Sequence, residues 1–525
     1  MNRSEQLSQL QNTQKWDVII IGGGASGLGT AIDAASRGYK TILLEAVDFA
    51  KGTSSRSTKL VHGGVRYLEQ GNIHLVREAL KERGLMLQNA NHLVKNQSFV
   101  IPNYHWFGGY FYTFGLKIYD LLSGRLSLGG SKYLSKKKTI ELLPNVEEIG
   151  LKNGVIYHDG QFDDSRLAVN MAQTAVENGA CVLNYVKVVN LLKDDKNQII
   201  GVQAQDLETG IKYSLKGAAI INATGVFTNA IMKLNDTVYK KYIVPSQGIH
   251  LVFDKSFLPG ENALMIPKTK DGRVLFAVPW HNHVVVGTTD TLIKKQSLEP
   301  IALETEIQFV LETAQRFLAK KPTRTDVLSV FAGLRPLAAP KEEGKSTKEV
   351  SRSHKIIVSE TGLITITGGK WTTYRKIAED LIDKAIKTGK LTKKECVTEH
   401  LSIHGNKPTT SLDRENHLYI YGSDIPKILE LQENELELKE KLHPDYEFTM
   451  AEVVWAIRYE MARTTDDILA RRVRLLFLDA RAAIEVAEKT ARIIAKELGH
   501  DEAWISTEIV NFKQIAKGFL LSEFQ

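Results

Sequence analysis

Residues 16–27 of the chain read WDVIIIGGGASG, and this stretch decides the fold. Its first half, residues 16–21, is a β-rich apolar run that predicts a buried parallel strand. We expect a helix over residues 26–37 and a second strand over residues 40–45. Together these elements form a β-α-β unit in about 30 residues, which is typical of an α/β fold with a parallel sheet.

The glycines of this stretch each have a steric role. Gly22 allows the tight turn after the strand, Gly24 lets the backbone approach a pyrophosphate, and Gly27 permits close packing of helix on strand. The N-terminus of the helix then receives the phosphate charge. Glu45 ends the second strand, where it can accept hydrogen bonds from an adenosine ribose. The pattern predicts a dinucleotide site but does not distinguish NAD from FAD.

Three later segments favour FAD. Residues 53–59 (TSSRSTK) follow soon after the second strand, where hydroxyl and backbone donors can surround a flavin. Residues 223–225 (ATG) close a late strand and give a second backbone approach to the dinucleotide. Residues 368–370 (GGK) open another helix, whose positive end would stabilise negative charge on a reduced flavin ring.

The composition is that of an ordinary globular protein, with 525 residues of which 43% are hydrophobic. The two cysteines, Cys181 and Cys396, are far apart, which excludes a zinc knuckle, an iron–sulfur cluster held by this chain and a disulfide framework. We therefore expect no metal. The formal charge of +7 suits an anionic substrate or membrane surface and is too weak to imply nucleic acid. Neither a signal peptide nor a spanning helix is visible, so we expect a cytoplasmic protein.

Six motifs occur in order along almost the whole chain: IGGG at 21–24, KLVHGGVRYL at 59–68, GTTD at 287–290, GLRPL at 333–337, GGKWTTYR at 368–375 and YEMAR at 459–463. Together they resemble the FAD-dependent glycerol-3-phosphate dehydrogenases. The resemblance implies an α/β, glutathione-reductase-like fold with an FAD-binding Rossmann domain, an antiparallel-sheet substrate domain and a C-terminal helical cap. It also implies hydride transfer from C2 of sn-glycerol 3-phosphate to N5 of FAD. The product would be dihydroxyacetone phosphate, and the electrons would pass to membrane quinone.

We expect three domains, of which the FAD-binding domain is discontinuous. The expected segments are 1–95, 150–240 and 335–389 for the FAD-binding domain, 96–149 and 241–334 for the substrate-binding domain, and 390–525 for the C-terminal helical domain. The last boundary lies near residue 390, where the sequence changes to a polar linker that is followed by mainly helical segments.

The reaction needs cations for a dianionic phosphate and a group that takes the C2 hydroxyl proton. We predict His250 as general base, with packing in a strand as its structural alternative, and Arg335 as the residue that polarises the same oxygen. The predicted substrate contacts are Arg66, Tyr67, Arg352 and Lys370, and the division of labour among these residues is left open. The predicted FAD contacts are Gly22, Gly24, Ala25, Ser26, Gly27, Glu45, Thr53, Ser54, Ser55, Thr58, Lys59, Leu60, His62, Gly63, Gly64, Ala223, Thr224, Gly225, Gly333, Gly369, Lys370, Thr372 and Thr373.

The aromatic segment over residues 99–116 has two interpretations. Aromatic clusters usually belong to the core. Alternatively, the segment is a monotopic membrane contact, with Lys117, Arg125 and residues 132–138 nearby for anionic lipids. We accordingly expect peripheral association with the inner face of the cell membrane. Homodimerisation is an expectation from the resemblance alone.

Three other functions stay open at this point. A glycerol-3-phosphate oxidase would use oxygen in place of quinone and produce hydrogen peroxide. A deaminating oxidase for a small amino acid would share the flavin site but has less use for the phosphate-suited cations. A non-catalytic flavin-binding scaffold would keep residues 22–27 but would not need His250 and Arg335 together.

Overall fold

The computed structural model describes residues 1–65, 68, 71–236, 242–338, 354–408 and 412–521. Three predicted substrate contacts, Arg66, Tyr67 and Arg352, lie outside the described residues. Within the described ranges, the chain forms an eight-stranded sheet, a ten-stranded sheet and a helical C-terminal region.

The first sheet is built around the strand that the sequence predicts. Strand β1 (Lys15–Ile21) pairs in parallel with β2 (Thr41–Leu44) on one side and β10 (Lys212–Asn222) on the other. Ile19 and Ile20 point to opposite faces and are both fully buried, because a hydrophobic cluster packs on each face. The other strands of this sheet are β7 (Cys181–Leu183), β8 (Val186–Lys193), β9 (Ile199–Asp206), β17 (Lys355–Val358) and β18 (Ile364–Thr367).

The second sheet is mainly antiparallel, as expected for the region after residue 242. Its strand β11 (Ile243–Asp254) lies between β14 (His283–Gly287) and β16 (Ser329–Ala338). In this register His250 lies opposite Gly287 on one side and Phe331 on the other. The remaining strands are β3 (Leu60–Val61), β4 (Val94–Asn103), β5 (Lys132–Ser135), β6 (Asn153–Phe162), β12 (Ala263–Ile266), β13 (Leu275–Trp280) and β15 (Thr291–Leu292).

Strand β6 belongs to a different sheet from the other strands of its predicted segment. It pairs with β4 over its whole length, from Val94 opposite Phe162 to Asn103 opposite Asn153, and therefore lies in the second sheet. The predicted boundary at residue 150 groups this strand with the FAD-binding segments. Periodicity in a sequence indicates a strand, whereas its pairing partner depends on long-range hydrogen bonds.

The described helices are α1 (Arg3–Asn12), α2 (Ala25–Ser36), α3 (Ile73–Asn89), α4 (Gly108–Ser123), α5 (Lys136–Leu142), α6 (Asp164–Glu177), α7 (Thr228–Asn235), α8 (Glu304–Phe317), α9 (Tyr374–Lys387), α10 (Ile425–Asn434), α11 (Met450–Glu460), α12 (Leu475–Leu478), α13 (Ala480–Glu485), α14 (Ala487–Leu498) and α15 (Glu502–Lys517). Helix α2 packs on α9, so the glycine-rich turn and the GGK segment are adjacent.

Buried ion pairs join the C-terminal helices to the first sheet. Both guanidinium Nη atoms of Arg166 donate to the Glu460 carboxylate at 2.7 Å, and Arg472 donates to Asp48 at 2.9 and 3.0 Å. All four side chains are almost completely shielded from solvent. Removing one partner of such a pair costs about 3–5 kcal/mol because the other charge is left buried and unpaired. The C-terminal region is therefore fixed to the segment that follows β2.

The aromatic segment is divided between two elements with opposite burial. Phe99 lies in β4 and is buried, which agrees with the core interpretation. Trp106, Phe107 and Phe111, at and within the start of α4, are 70%, 78% and 69% exposed, so the core interpretation is wrong for this part. Among the described residues, no helix combines the length and the apolar character needed to cross a bilayer.

Candidate active site

One continuous cleft runs between the two sheets. Its first part has a volume of about 530 Å³ and is lined by residues at the ends of β1, β2, β10 and β18. Its second part has a volume of about 410 Å³ and is lined mainly by the second sheet. The two parts share six lining residues: Thr53, Pro336, Gly368, Gly369, Lys370 and Trp371. A ligand can therefore extend from the glycine-rich turn to the second sheet.

Steric contacts at the glycine-rich turn confirm why glycine is needed there. Gly22 has φ +110°, and a Cβ at this position would lie 2.8 Å from the carbonyl oxygen of Ala223. A Cβ at Gly27 would lie only 1.9 Å from the carbonyl oxygen of Gly22, so α2 could not pack so close to β1. Gly24 is the N-cap of α2, and the amide of Ala25 in its first turn donates to Ser54 Oγ at 3.0 Å. This positive helix end faces the cleft, as a diphosphate requires.

Glu45 lies beside this turn and is held by the backbone. Its Oε2 accepts from the amide of Gly23 at 2.6 Å, and its Oε1 accepts from the amide of Val47 at 2.9 Å. Burial raises the pKa of Glu45 despite these hydrogen bonds. The apolar end of the same cavity is lined by Val188, Leu207, Val226, Phe227 and Ile231. Donors for a diphosphate, an acceptor for a ribose and an apolar slot for a purine fit an adenine dinucleotide.

The segment over residues 53–64 connects the two parts of the cleft. Thr53 Oγ1 donates to the carbonyl oxygen of Leu334 at 2.7 Å, which joins the segment to β16. The indole Nε1 of Trp371 donates to the carbonyl oxygen of Ser54 at 2.8 Å. This segment therefore contacts both the second sheet and the start of α9, where it can surround a flavin ring.

His250 lines the second cavity. Its Nε2 lies 3.0 Å from Thr58 Oγ1, and its ring stacks on Phe331 with 4.8 Å between centroids. A Cβ at Gly287 would lie 2.4 Å from the ring, so glycine makes room for the histidine. Burial, and then the charges of Lys59 and Arg335, hold the pKa of His250 well below its usual value. The imidazole is therefore neutral near pH 7 and able to accept a proton.

Arg335 brings a positive charge to the same cavity from the adjacent strand. Its Nη2 donates to Thr288 Oγ1 at 3.0 Å, and its Nη1 lies 3.7 Å from Asp290 Oδ1. A Cβ at Gly248 would lie 2.4 Å from Nη2, so the strand makes room for the guanidinium. Lys370 lines both cavities. The cavity thus places a neutral base beside the cationic side chains of Arg335 and Lys370.

Most of the predicted site residues meet in this cleft. Those that line it are Gly22, Gly24, Ala25, Ser26, Glu45, Thr53, Ser54, Thr58, Leu60, His62, Gly64, Ala223, Thr224, Gly225, His250, Gly333, Arg335, Gly369, Lys370 and Thr372. Those that are described but do not line it are Gly27, Ser55, Lys59, Gly63 and Thr373. Gly27 and Gly63 are close-packing positions instead.

Lys59 points away from the cleft into the protein. It is fully buried, and its Nζ donates to the carbonyl oxygen of Ser55 at 2.6 Å and to Asp164 Oδ2 at 2.7 Å. Arg474 from the C-terminal region donates to the same carbonyl oxygen at 3.1 Å and to Asp164 at 3.0 Å. Burial lowers the pKa of Lys59 to about 7. Lys59 therefore supports the flavin-facing segment from behind.

Sequence reasoning missed some cavity residues. Arg273 lines the second cavity next to the Lys270–Gly272 turn, and its guanidinium lies 5.0 Å from the centre of the Phe309 ring. The turn pattern predicts a chain reversal, and it does not indicate that the arginine after the turn reaches the cavity. Thr288, the hydroxyl partner of Arg335, belongs to the GTTD motif but carries no signal of that contact.

The fold and cleft define a flavin-dependent oxidoreductase. A family model described as "FAD dependent oxidoreductase" matches residues 17–375, and one described as "C-terminal domain of alpha-glycerophosphate oxidase" matches residues 359–505. The chain is 38% identical to "Glycerol-3-phosphate dehydrogenase, mitochondrial" of Schizosaccharomyces pombe, over 96% of this chain and 87% of that protein. It is 40% identical to "Glycerol-3-phosphate dehydrogenase SDP6, mitochondrial" of Arabidopsis thaliana, over 97% of this chain and 87% of that protein.

A solved structure agrees with these relatives. The glycerol-3-phosphate dehydrogenase from Bacillus halodurans complexed with FAD is 28% identical, with a TM-score of 0.81, and the match covers 100% of this chain and 98% of that one. The chain therefore belongs to the FAD-dependent glycerol-3-phosphate dehydrogenases. The predicted family, α/β fold class and FAD cofactor are confirmed, and the protein is an oxidoreductase.

Proposed function

We propose that this protein oxidises sn-glycerol 3-phosphate to dihydroxyacetone phosphate and passes the electrons to a membrane quinone. The observation that carries the proposal is the continuity of the dinucleotide cavity with the cavity that holds His250 and Arg335. FAD, when bound along this cleft, supplies a two-electron acceptor for the C2 hydride. The chain's own residues must then bind the phosphate and take the hydroxyl proton.

His250 is the residue that we propose takes this proton. Its Nε2 is held by Thr58, while its Nδ1 is buried and has no hydrogen-bond partner among the described residues. The stacked Phe331 ring fixes the plane of the imidazole. Because the lowered pKa keeps the ring neutral, one ring nitrogen can accept the proton as C2 is oxidised.

Arg335 and Lys370 are the described cations that we propose bind the anionic substrate. Arginine offers a planar pair of donors that matches phosphate or alkoxide oxygens, and lysine offers a compact charge. The Arg335 side chain is about one-third exposed, so a ligand can reach it. Arg66, Tyr67 and Arg352 stay predicted contacts from the sequence.

Anaerobic mixing of the purified, FAD-containing protein with sn-glycerol 3-phosphate tests the reaction directly. Bleaching of the flavin absorbance is expected within one turnover, since the substrate is the only reductant present. Glycerol, which lacks the phosphate, is the matched control and should bleach the flavin far more slowly. An absorbance that stays unchanged with sn-glycerol 3-phosphate would exclude this substrate.

Oxygen is the alternative acceptor. The curated relatives described above are named dehydrogenases, and the model of the C-terminal domain carries an oxidase name. Parallel assays of hydrogen peroxide formation and of quinone reduction separate the two acceptors. We expect quinone reduction to be the faster reaction, and a peroxide yield equal to the substrate consumed would reverse this assignment.

Helix α4 presents the surface that we propose contacts the membrane. The exposed apolar residues of this helix and of the turn just before it are Trp106, Phe107, Tyr110, Phe111, Phe114 and Leu121. Exposed basic residues surround them: Lys117, Arg125, Lys132, Lys136, Lys137 and Lys138. An apolar patch bordered by lysines suits a bilayer with anionic headgroups, where aromatic rings lie at the interface. We propose that this bilayer is the inner face of the cell membrane; the homodimer stays a prediction.

Flotation with anionic vesicles tests this surface. Replacing Trp106, Phe107 and Phe111 with serine should release the protein from the vesicles and leave its dye-linked activity intact. The control replaces Leu436 and Val510, which are 71% and 66% exposed on the C-terminal region, with serine. The control protein should float like the unmodified one, and equal flotation of both variants would refute the proposed surface.

A further inference from the structure

Helix α4 has a buried face that contacts the predicted flavin site. Tyr119 lies on this face and is 1% exposed, whereas Phe114 and Leu121 on the outer face are 72% and 79% exposed. The phenol oxygen of Tyr119 accepts a hydrogen bond from the amide of Gly63 at 2.8 Å. Gly63 belongs to residues 62–64, of which His62 and Gly64 line the cleft. One helix therefore joins the proposed membrane surface to the cleft wall.

A buried ion pair fixes the orientation of this phenol. Tyr119 donates to Asp159 Oδ2 at 2.8 Å, and Arg83 Nη1 donates to Asp159 Oδ1 at 2.8 Å. Arg83 also donates to the carbonyl oxygen of Leu126 at 3.1 Å, just after the end of α4. Arg83, Tyr119 and Asp159 are almost fully buried, and burial raises the pKa of Tyr119 well above its usual value. The hydroxyl therefore keeps its proton and serves as donor and acceptor at once.

The contact between helix and loop is sterically tight. A Cβ at Gly63 would lie 2.6 Å from the Tyr119 hydroxyl and 2.6 Å from the side chain of Leu80. On the other side, the amide of His62 donates to Thr372 Oγ1 at 3.3 Å, next to the start of α9. Residues 62–64 are thus held between α4 and the GGK segment. A shift of α4 would therefore move this loop relative to the GGK segment.

We propose that Tyr119 is a positioning residue that couples the seating of α4 on a lipid surface to the affinity of residues 62–64 for the flavin. The lipid half of this inference rests on the proposed function, because it takes the outer face of α4 as the membrane contact. The positioning half rests on the Tyr119–Gly63 hydrogen bond alone.

The test substitutes Tyr119→Phe, which removes the hydroxyl and keeps the ring. Apoprotein is titrated with FAD, and the Kd is read from quenching of the flavin fluorescence, with and without anionic vesicles. We expect the variant to bind FAD about tenfold more weakly, because the buried Gly63 amide loses the Tyr119 oxygen as an acceptor and keeps only its contact with Asp159. We also expect vesicles to tighten FAD binding several-fold in the unmodified protein and not in the variant. Amide hydrogen exchange over residues 60–65 should become faster in the variant.

Tyr110→Phe is the matched control, since it removes a phenol from the exposed face of the same helix. It should leave the Kd for FAD measured without vesicles unchanged, because Tyr110 belongs to the proposed membrane surface and does not line the cleft. An equal Kd for Tyr119→Phe and the unmodified protein, at equal thermal stability, would overturn the positioning role. A vesicle response that persists in Tyr119→Phe would overturn the coupling. If the unmodified protein does not bind vesicles, the membrane proposal fails while the lipid-free Kd still decides the role of Tyr119.

Discussion

The two parts of the cleft are constructed in different ways. The dinucleotide part combines the contiguous stretch of residues 22–27 with the ends of β2, β10 and β18, and the geometry of its turn depends on backbone contacts such as the one between Gly22 and Gly27. The substrate part brings His250 and Arg335 together from neighbouring strands of the second sheet, and side-chain packing sets their positions. A disruptive substitution in the dinucleotide part should therefore abolish FAD binding. A substitution in the substrate part should lower the rate of substrate oxidation and leave FAD bound.

Gly27→Val should have the largest effect. A Cβ at this position would lie 1.9 Å from the carbonyl oxygen of Gly22, and backbone atoms of the parallel sheet cannot move away. We expect a protein without the flavin absorbance band and with a strongly lowered Tm. Gly115→Ala is the control, because a Cβ there contacts no other residue within 4 Å. A yellow, stable Gly27→Val protein would show that helix and strand need not pack so closely.

His250→Gln should retain FAD and lose catalysis. Loss of a general base lowers the rate of the chemical step about 10²–10⁴-fold. Stopped-flow measurement of flavin reduction by substrate checks this, together with the FAD content of the variant. His283→Gln is the matched control in the same sheet, since His283 does not line the cleft. Similar losses in both variants would indicate a packing role for His250.

Arg335→Ala should lower kcat/KM about 10²–10³-fold, the usual cost of removing a charged donor from a reacting oxygen. Arg335→Lys should recover part of the loss, because it restores the charge without the planar pair of donors. Steady-state kinetics at equal FAD content should give the highest kcat/KM for the unmodified protein, a lower one for Arg335→Lys and the lowest for Arg335→Ala. An Arg335→Ala enzyme with unchanged kcat/KM would remove this residue from the active site.

Gly248→Ala should have a smaller effect confined to the substrate part. The added methyl group would lie 2.4 Å from Arg335 Nη2, but the arginine side chain is flexible and can shift. We expect about a tenfold loss of kcat/KM from misplacement of the guanidinium. The FAD content should stay at the level of the unmodified protein. Loss of FAD in this variant would mean that the two parts of the cleft are not separable.

The smallest effect should be on the pH profile. Burial lowers the pKa of His250 most, and the charges of Lys59 and Arg335 lower it further. His250 loses its function as base when it is protonated, so kcat/KM should fall only below pH 6.5. Arg335→Gln removes one positive charge, so the pKa of His250 should rise and the acid limb should move about 0.5–1 unit to higher pH. The ionisation of the substrate is common to both profiles and cancels in their comparison.

The sequence indicated the positions of some side chains and not of others. Gly22, Gly24 and Glu45 line the cleft, as expected for a turn, a helix start and a strand end that are adjacent in sequence. Lys59 does not line the cleft, because the direction of its side chain depends on Asp164, more than a hundred positions away. The sequence left the exposure of Phe111 on α4 open between a core and a membrane-contact interpretation, since aromatic content does not reveal which face lacks a partner.

The sequence by itself determined the α/β class, the dinucleotide site and the family, because strand periodicity, glycine spacing and motif order are local properties of the chain. Only the tertiary structure decided that β6 lies in the second sheet, that Gly287 and Gly248 make room for His250 and Arg335, and that Tyr119 contacts Gly63. These features depend on contacts between segments distant in sequence. Such contacts follow from the packing of complete elements, and no short stretch of residues contains that information.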